Sequence, residues 1–248
     1  MKSARRKQTS VASALRPFWF LIALIALAGI FGVFWSATWP GLFPKQVAVA
    51  GNRSVPTQEI LSRAHIANNV NLWLQNMGAA ADRVETIPYV KEAQFHRSLP
   101  ANLRINITER APYAVLRYGK QTALVDRDLR VLQQAEGQAP FPQFILKARP
   151  MPAAGAFVHD AAVERLRDDY DTLAQAHVVV RSLGYDKFGD LVAGMTGGVR
   201  LLLGGEADLE KKAALIGPIL SQVSASGRRI AAVDLRAPKT PVVLYKTK

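Results

Sequence analysis

Cysteine is missing from all 248 residues. Its absence removes thiol nucleophiles, iron–sulfur clusters and thiolate zinc sites, and leaves any domain to hold together by packing without disulfides. Histidine is nearly as scarce. His65, His96, His159 and His177 stand apart in the chain and none lies in H-E-x-x-H, so a metal centre would need distant carboxylates. They are read as surface or core side chains, and neither a metal nor a cofactor is expected. G-x-S-x-G and S-x-x-K are absent too, and Gly204-Gly205 lacks the G-K-[ST] of a phosphate loop. Asp168, Asp169 and Asp171 come nearest to a catalytic carboxylate pair. Consecutive helical positions point apart, however, and the interleaved Arg165 and Arg167 suggest a solvated face. A glycosidase needs two carboxylates converging on one cleft, which one helix cannot supply. With no nucleophile–base arrangement, the chain is read as non-catalytic, without catalytic residues or a small-molecule substrate.

Negative charge is also in short supply: 19 acidic residues face 32 basic ones, a net +13. Beyond the five cations of residues 1–16, the basic residues are scattered, with no block longer than Lys211-Lys212 or Arg228-Arg229. A nucleic-acid domain gathers them on one stripe with interleaved aromatics, so no nucleic-acid partner is expected. A basic face near anionic lipid or wall polymer accounts for the excess.

No ionisable side chain interrupts residues 17–39, PFWFLIALIALAGIFGVFWSATW. As a helix this run spans roughly 35 Å, enough for a hydrocarbon core of about 30 Å. Apolar residues cover every face, unlike the one-sided stripe of a globular surface helix. Phe18, Trp19 and Phe20 at one end, and Phe34, Trp35 and Trp39 at the other, are placed like interfacial aromatic belts. The run exceeds the roughly 7–15 apolar residues of a signal peptide, and bulky tryptophans crowd its exit. Lys2, Arg5, Arg6, Lys7 and Arg16 flank its start with no acidic residue among them. That flank should stay cytoplasmic. The expectation is a single-pass type II protein of the cell (inner) membrane, with a disordered basic tail over 1–16 and everything after Lys45 outside the cytoplasm.

Past the prolines at 40 and 44, short patterned elements begin. Val47 and Val49 alternate in a strand that Gly51-Asn52 breaks. Ser54 and Pro56 precede a helix over TQEILSRA, with Ile60, Leu61 and Ala64 at helical spacing. Asn71-Leu72-Trp73-Leu74 is read as a nucleus with the tryptophan buried between helix and sheet, rather than as a docking knob. A weaker helix follows from Ala79 to Thr86, stopped by Pro88. Two strands close this unit: one over VKEAQFHRS, and one in which Leu103, Ile105 and Ile107 alternate with polar residues. Strand, helix, helix, strand, strand makes a compact α+β unit.

The second stretch is richer in strands. Tyr113–Arg117, Thr122–Val125 and Leu129–Leu132 read as strands, and residues 137–152, with four prolines, as an irregular connection. Val163, Leu166, Tyr170 and Leu173 mark a helix from Asp160. Val178–Val180 and Leu191–Ala193 read as strands, with a hairpin at Gly197-Gly198 into Val199–Leu203. A second helix runs from about Glu206 with Gly217-Pro218 kinking or dividing it. Ile230–Leu235 and Pro241–Tyr245 close as strands.

Five pieces in order resemble the polypeptide-transport-associated (POTRA) domain of the bacterial cell-division family FtsQ, called DivIB in Gram-positive bacteria. They are V-A-V-A-G-N-R-S-V at 47–55, N-L-W at 71–73, I-P-Y-V at 87–90, Leu99-Pro100 and E-R-A-P at 109–112. L-V-D at 124–126, G-G-V-R-L-L-L-G at 197–204 and V-D-L-R at 233–236 resemble that family's C-terminal β domain. There are departures: Leu129 or a neighbour replaces the usual glycine after L-V-D, and Ala237 replaces the aromatic often following D-L-R. The resemblance implies an α+β protein with an anchor (17–39), a POTRA domain (45–112) and a β domain with two main helices (113–248). It further implies a non-catalytic septal scaffold linking FtsB/DivIC-like and FtsL-like single-span proteins to wall synthesis. The alternative is an export or assembly factor, but that class continues into a β-barrel for which the chain has no length. For partner binding, the resemblance and an uncovered last strand indicate Arg236, Ala237, Lys239, Val242, Val243, Leu244 and Tyr245. A partner strand would add along Val242–Tyr245, with Arg236 pairing a carboxylate and Tyr245 giving an apolar contact.

Overall fold

The computed structural model describes residues 16–135, 137, 139–205, 207–224 and 228–246. The expected basic tail lies, but for Arg16, outside the described residues. The fold is mixed α+β. Five α-helices occur among the described residues: α1 (Arg16–Thr38), α2 (Thr57–Ala64), α3 (Met77–Glu85), α4 (Ala161–Gln175) and α5 (Leu209–Ser224). Twelve strands accompany them in two sheets.

Helix α1 is the uncharged run. Its stretch Phe18–Thr38 is long and apolar enough to cross a membrane, and it is exposed except at Ser36 and Ala37 near its end, which are half-buried. The chain divides into two compact units. One holds the described residues up to Val84 with Glu92–Thr108, the other Glu85–Lys91 with Glu109 onward.

The first unit carries the sheet β1 (Gln46–Ala50), β3 (Asn102–Glu109), β2 (Val90–Ser98), in that order. Strands β1 and β3 run parallel, from Gln46 beside Asn102 to Ala50 beside Asn106. Leu103, Ile105 and Ile107 are buried as their alternation predicts, as are Ile60 and Ala64 of α2 and Ala80 and Val84 of α3. Gly51 ends β1 at φ +88°, and a Cβ there would stand 2.1 Å from the carbonyl oxygen of Ile107. Only glycine tolerates both the left-handed backbone and that approach. Helix α2 starts at Pro56, where no side chain caps it.

The second unit is built on nine strands in the order β12-β11-β10-β9-β8-β7-β4-β5-β6. They are β4 (Ala114–Tyr118), β5 (Gln121–Val125), β6 (Val131–Gln134), β7 (Gln143–Leu146), β8 (Val180–Tyr185), β9 (Leu191–Met195), β10 (Arg200–Gly204), β11 (Ile230–Asp234) and β12 (Val242–Tyr245). Strands β4, β7 and β8 are mutually parallel, as are β10 and β11, and the other pairings are antiparallel. The core is formed around Leu116, Phe144, Leu166, Leu173, Leu183 and Leu201, all fully buried. Asp160 caps α4 by accepting from the Ala162 N–H at 2.9 Å. Helix α5 runs unbroken through Pro218, so the expected division is not seen.

Several expectations change. The 137–152 connection contains strand β7, whose Phe144 is completely buried between two parallel neighbours. The flanking prolines mask the three-residue apolar run Phe144-Ile145-Leu146. The strand placed at 178–180 instead occupies 180–185, continuing across Gly184. Leu129 belongs to the turn before β6, at φ +63°, where the resemblance leads one to expect glycine. Its side chain is buried in the core, which holds the residue in that strained backbone region.

Candidate partner-binding edge

Strand β12 arises from V-V-L-Y, a β-branched and aromatic run that Pro241 precedes and cannot itself join as a donor. It pairs antiparallel with β11, from Asp234 beside Val242 to Ile230 beside Tyr245, and stands last in the sheet. The extra residue in this pairing is on β11, so β12 keeps its two-residue alternation. The Lys246 N–H donates to Arg229 O at 2.9 Å, toward β11. By alternation the main-chain groups of Val242 and Leu244 also point inward, and those of Val243 and Tyr245 point to the open edge. Val242 and Leu244 are exposed and Val243 and Tyr245 half-buried. This edge therefore offers two outward N–H and C=O pairs beside two exposed aliphatic side chains. That is the hydrogen-bonding pattern an added strand uses.

Arg236, Ala237 and Lys239 lie in the β11–β12 turn rather than on the strand, and all three are exposed. The turn is closed by Thr240 N–H donating to Ala237 O at 3.0 Å and by Arg236 N–H donating to Asp234 Oδ1 at 3.0 Å. The Arg236 guanidinium already has a carboxylate, with Nη2 2.6 Å from Asp234 Oδ2 and Nε 3.0 Å from Oδ1. That guanidinium holds the Asp234 carboxyl below its ordinary range and is itself raised by the carboxylate. A partner carboxylate would have to share or displace Asp234. Tyr245 is likewise engaged, since Arg228 stacks its guanidinium 3.6 Å from the ring centre. Lys246 Nζ donates to Gly197 O at 3.2 Å. Neither cation was singled out from the sequence. An arginine preceding a strand gives no sign of the ring it will cover.

Trp73 is not buried between helix and sheet. Leu72 fills that interior, while Trp73 is 41% exposed and its indole N–H donates to Pro100 O at 3.2 Å. The carboxylates of α4 part as expected, but Asp169 is buried rather than solvated, accepting from the Tyr185 hydroxyl at 2.7 Å. Asp171 accepts from Tyr113 at 2.7 Å and pairs with Arg127. Burial, helped by that carboxylate, pushes the Tyr113 phenol well above its usual pKa.

An open cleft of about 720 Å³ sits where β4, β7 and β8 end, at Tyr118, Leu146 and Tyr185. No sequence motif pointed to it. Its carboxylates are occupied: Asp160 caps α4 and pairs with Arg149, and Asp186 accepts from the Phe188 and Asp190 N–H groups. Among the described residues no group of three or more histidine or acidic side chains could hold a metal ion.

Residues 44–110 match the family model described as POTRA domain, FtsQ-type. The chain thus carries an FtsQ-type POTRA domain, and its similarity to proteins named FtsQ and DivIB supports that family. Cell division protein FtsQ of Mycolicibacterium smegmatis is 36% identical over 101 residues, covering 41% of this chain and 30% of the relative. Cell division protein DivIB of Clostridium tetani is 27% identical over 92 residues, 37% of this chain and 35% of the relative. FtsQ of Zymomonas mobilis is 24% identical over 133 residues, 48% of this chain and 42% of the relative. The matched stretches thus span under half the length of these FtsQ and DivIB relatives. Helix α1, together with these relatives, supports a membrane-anchored protein.

Proposed function

We propose that this FtsQ/DivIB-family chain is a non-catalytic division scaffold, with a POTRA domain over 45–112 and a β domain over 113–248 outside the cytoplasm. The β12 edge takes a strand from an FtsB/DivIC-like single-span protein, and FtsL-like proteins join the same assembly to septal wall synthesis. One observation carries this reading: among the described residues the last strand is unpaired on one side, with the main-chain groups of Val243 and Tyr245 turned outward. The division role is supported by the relatives, which are named as cell division proteins. The basic flank before α1 supports a cytoplasmic N-terminus.

The test has three arms. A fluorescent fusion is expected in a mid-cell band, and a uniform envelope signal would sink the division role. Purified full-length chain is expected to capture an FtsB/DivIC-like partner in pull-down, and to lose it in a Val243→Pro, Tyr245→Ala double variant. Undiminished capture would place the interface elsewhere. Protease added to spheroplasts should digest everything after about Lys45, whereas a protected C-terminus would overturn the topology.

A further inference from the structure

The exposed apolar side chains of the first unit are not spread over it. Among its described residues beyond helix α1 and the connector, the exposed large hydrophobic ones are Val70, Trp73, Leu74 and Leu99. Leu74 and Leu99 are 64% and 75% exposed, more than a protein in water has reason to leave in one place. These residues occupy two loops, the 70–74 turn and the tip between β2 and β3, which the Trp73 indole N–H joins by donating to Pro100 O.

The 70–74 turn is tied to the end of α1, and both loops are tied to the connector that follows it. The Asn71 Nδ2 donates to Ser36 O at 2.8 Å, satisfying a carbonyl in the last turn of the helix. Leu72 N–H donates to Leu42 O at 2.9 Å, and Lys45 N–H to Ala101 O at 3.0 Å. The parallel pair β1–β3 starts here and runs away from the helix, so the β2–β3 tip lies at the anchor end of the sheet. Trp35 and Trp39, both exposed, mark the same level on the helix side, where an interfacial aromatic belt belongs.

We infer that this surface is a second membrane contact: Val70, Trp73, Leu74 and Leu99 seat in the headgroup region of the bilayer that α1 spans. The inference rests on reading Phe18–Thr38 as a spanning anchor. An interfacial surface of this kind sinks its apolar side chains about 5–10 Å into the headgroup–acyl boundary. Trp73 suits that depth, with an apolar ring and a satisfied indole N–H. Arg97 lies 5.9 Å from its ring centre and donates to Trp73 O and Gln75 O, fixing the loop while its charge stays near the phosphates. The first domain is thereby held down on the membrane instead of swinging from a flexible tether.

The cysteine-free chain makes the test direct. Nitroxide labels at Leu74→Cys and Leu99→Cys are read in full-length protein reconstituted into phosphatidylethanolamine–phosphatidylglycerol vesicles, with no other protein present. Both labels are expected to collide more with oxygen than with a water-soluble nickel chelate, and a label at Gln58→Cys on the far end of the unit to show the reverse. A label at Ala28→Cys tests the anchor separately. If Ala28 is lipid-exposed while either position 74 or 99 is aqueous, the surface faces water or a protein and the inference fails alone. An aqueous Ala28 overturns the anchor and the inference with it.

Discussion

Two proline substitutions one residue apart should behave oppositely if the alternation along β12 is as described. Val243 turns its N–H to the open edge, whereas Leu244 turns its own toward β11 in the register that places it beside Ala232. Val243→Pro deletes a donor no neighbouring strand uses, so the isolated chain should lose little stability, within about 0.5 kcal/mol of the parent. Leu244→Pro removes a ladder bond and forces the ring against β11, costing roughly 3 kcal/mol. On binding the order inverts for the native-like variant. A main-chain hydrogen bond contributes about 0.5–1.5 kcal/mol net, and the pyrrolidine ring also keeps the incoming strand at a distance. A loss of about 1–2 kcal/mol corresponds to a Kd raised roughly 5- to 30-fold. Thermal unfolding with calorimetric titration of a purified FtsB/DivIC-like partner separates the two effects. Unchanged affinity for Val243→Pro, or unchanged stability for Leu244→Pro, would refute the reasoning.

Other perturbations test the interior. Arg110 Nη1 lies 2.6 Å from Asp126 Oδ2 with both side chains nearly buried, and Asp126 Oδ1 also accepts from the Arg130 N–H at 2.8 Å. Removing one partner of a buried pair costs about 3–5 kcal/mol. Asp128, 3.0 Å from the same Arg110 nitrogen, keeps Asp126→Ala at the low end, a Tm drop of roughly 6–12 °C in calorimetry. Gly51→Ala should cost more than about 1 kcal/mol, read by urea unfolding, because the new methyl meets the Ile107 carbonyl at a positive φ. Leu129→Gly relieves a strained backbone but empties a buried site, so a net loss of about 2 kcal/mol or more is expected. Asp128 and Asp234 both titrate below their ordinary value, through Lys91 and Arg236 respectively. Each therefore stabilises the fold above about pH 4 and stops doing so as pH falls through its lowered pKa. An Asp128→Asn, Asp234→Asn variant should show a shallower decline of Tm with acid than the parent, and more so at low salt.

The elements that were legible beforehand are those where a periodic pattern meets one buried face. Leu103, Ile105 and Ile107 on β3 are of this kind, as are Val163, Leu166 and Leu173 on α4. Strand β7 was not legible, because Pro140 and Pro142 signal a loop and a strand covered by parallel neighbours shows no alternation. Trp73 was misplaced because burial passed to Leu72 and the Asn71 amide, and a strand-like or helical pattern cannot say which of two adjacent residues turns inward. Asp169 accepts from a hydroxyl sixteen residues away, a pairing that exists only once α4 lies on β8. At the edge itself, the strand and its exposed side chains could be read from V-V-L-Y. The internal use of Arg236 by Asp234 and the cover of Tyr245 by Arg228 depend on how the chain closes, and no spacing announces them.

The parallel register joining β10 to β11 is short: Arg200, Leu201 and Leu202 beside Ala232, Val233 and Asp234. Beyond that narrow ladder, the β11–β12 hairpin is held to the sheet by the Leu235 N–H to Leu202 O bond at 2.8 Å, by the Lys246 Nζ to Gly197 O bond at 3.2 Å, and by the buried side chains of Val233 and Leu235. Amides of β12 are accordingly the ones to exchange with solvent by local opening, ahead of those on β4 and β8 at the centre. A strand seated against the outer side of β12 would close that opening as well as occupy the edge. Deuterium uptake would then slow on β11, at residues the partner never touches.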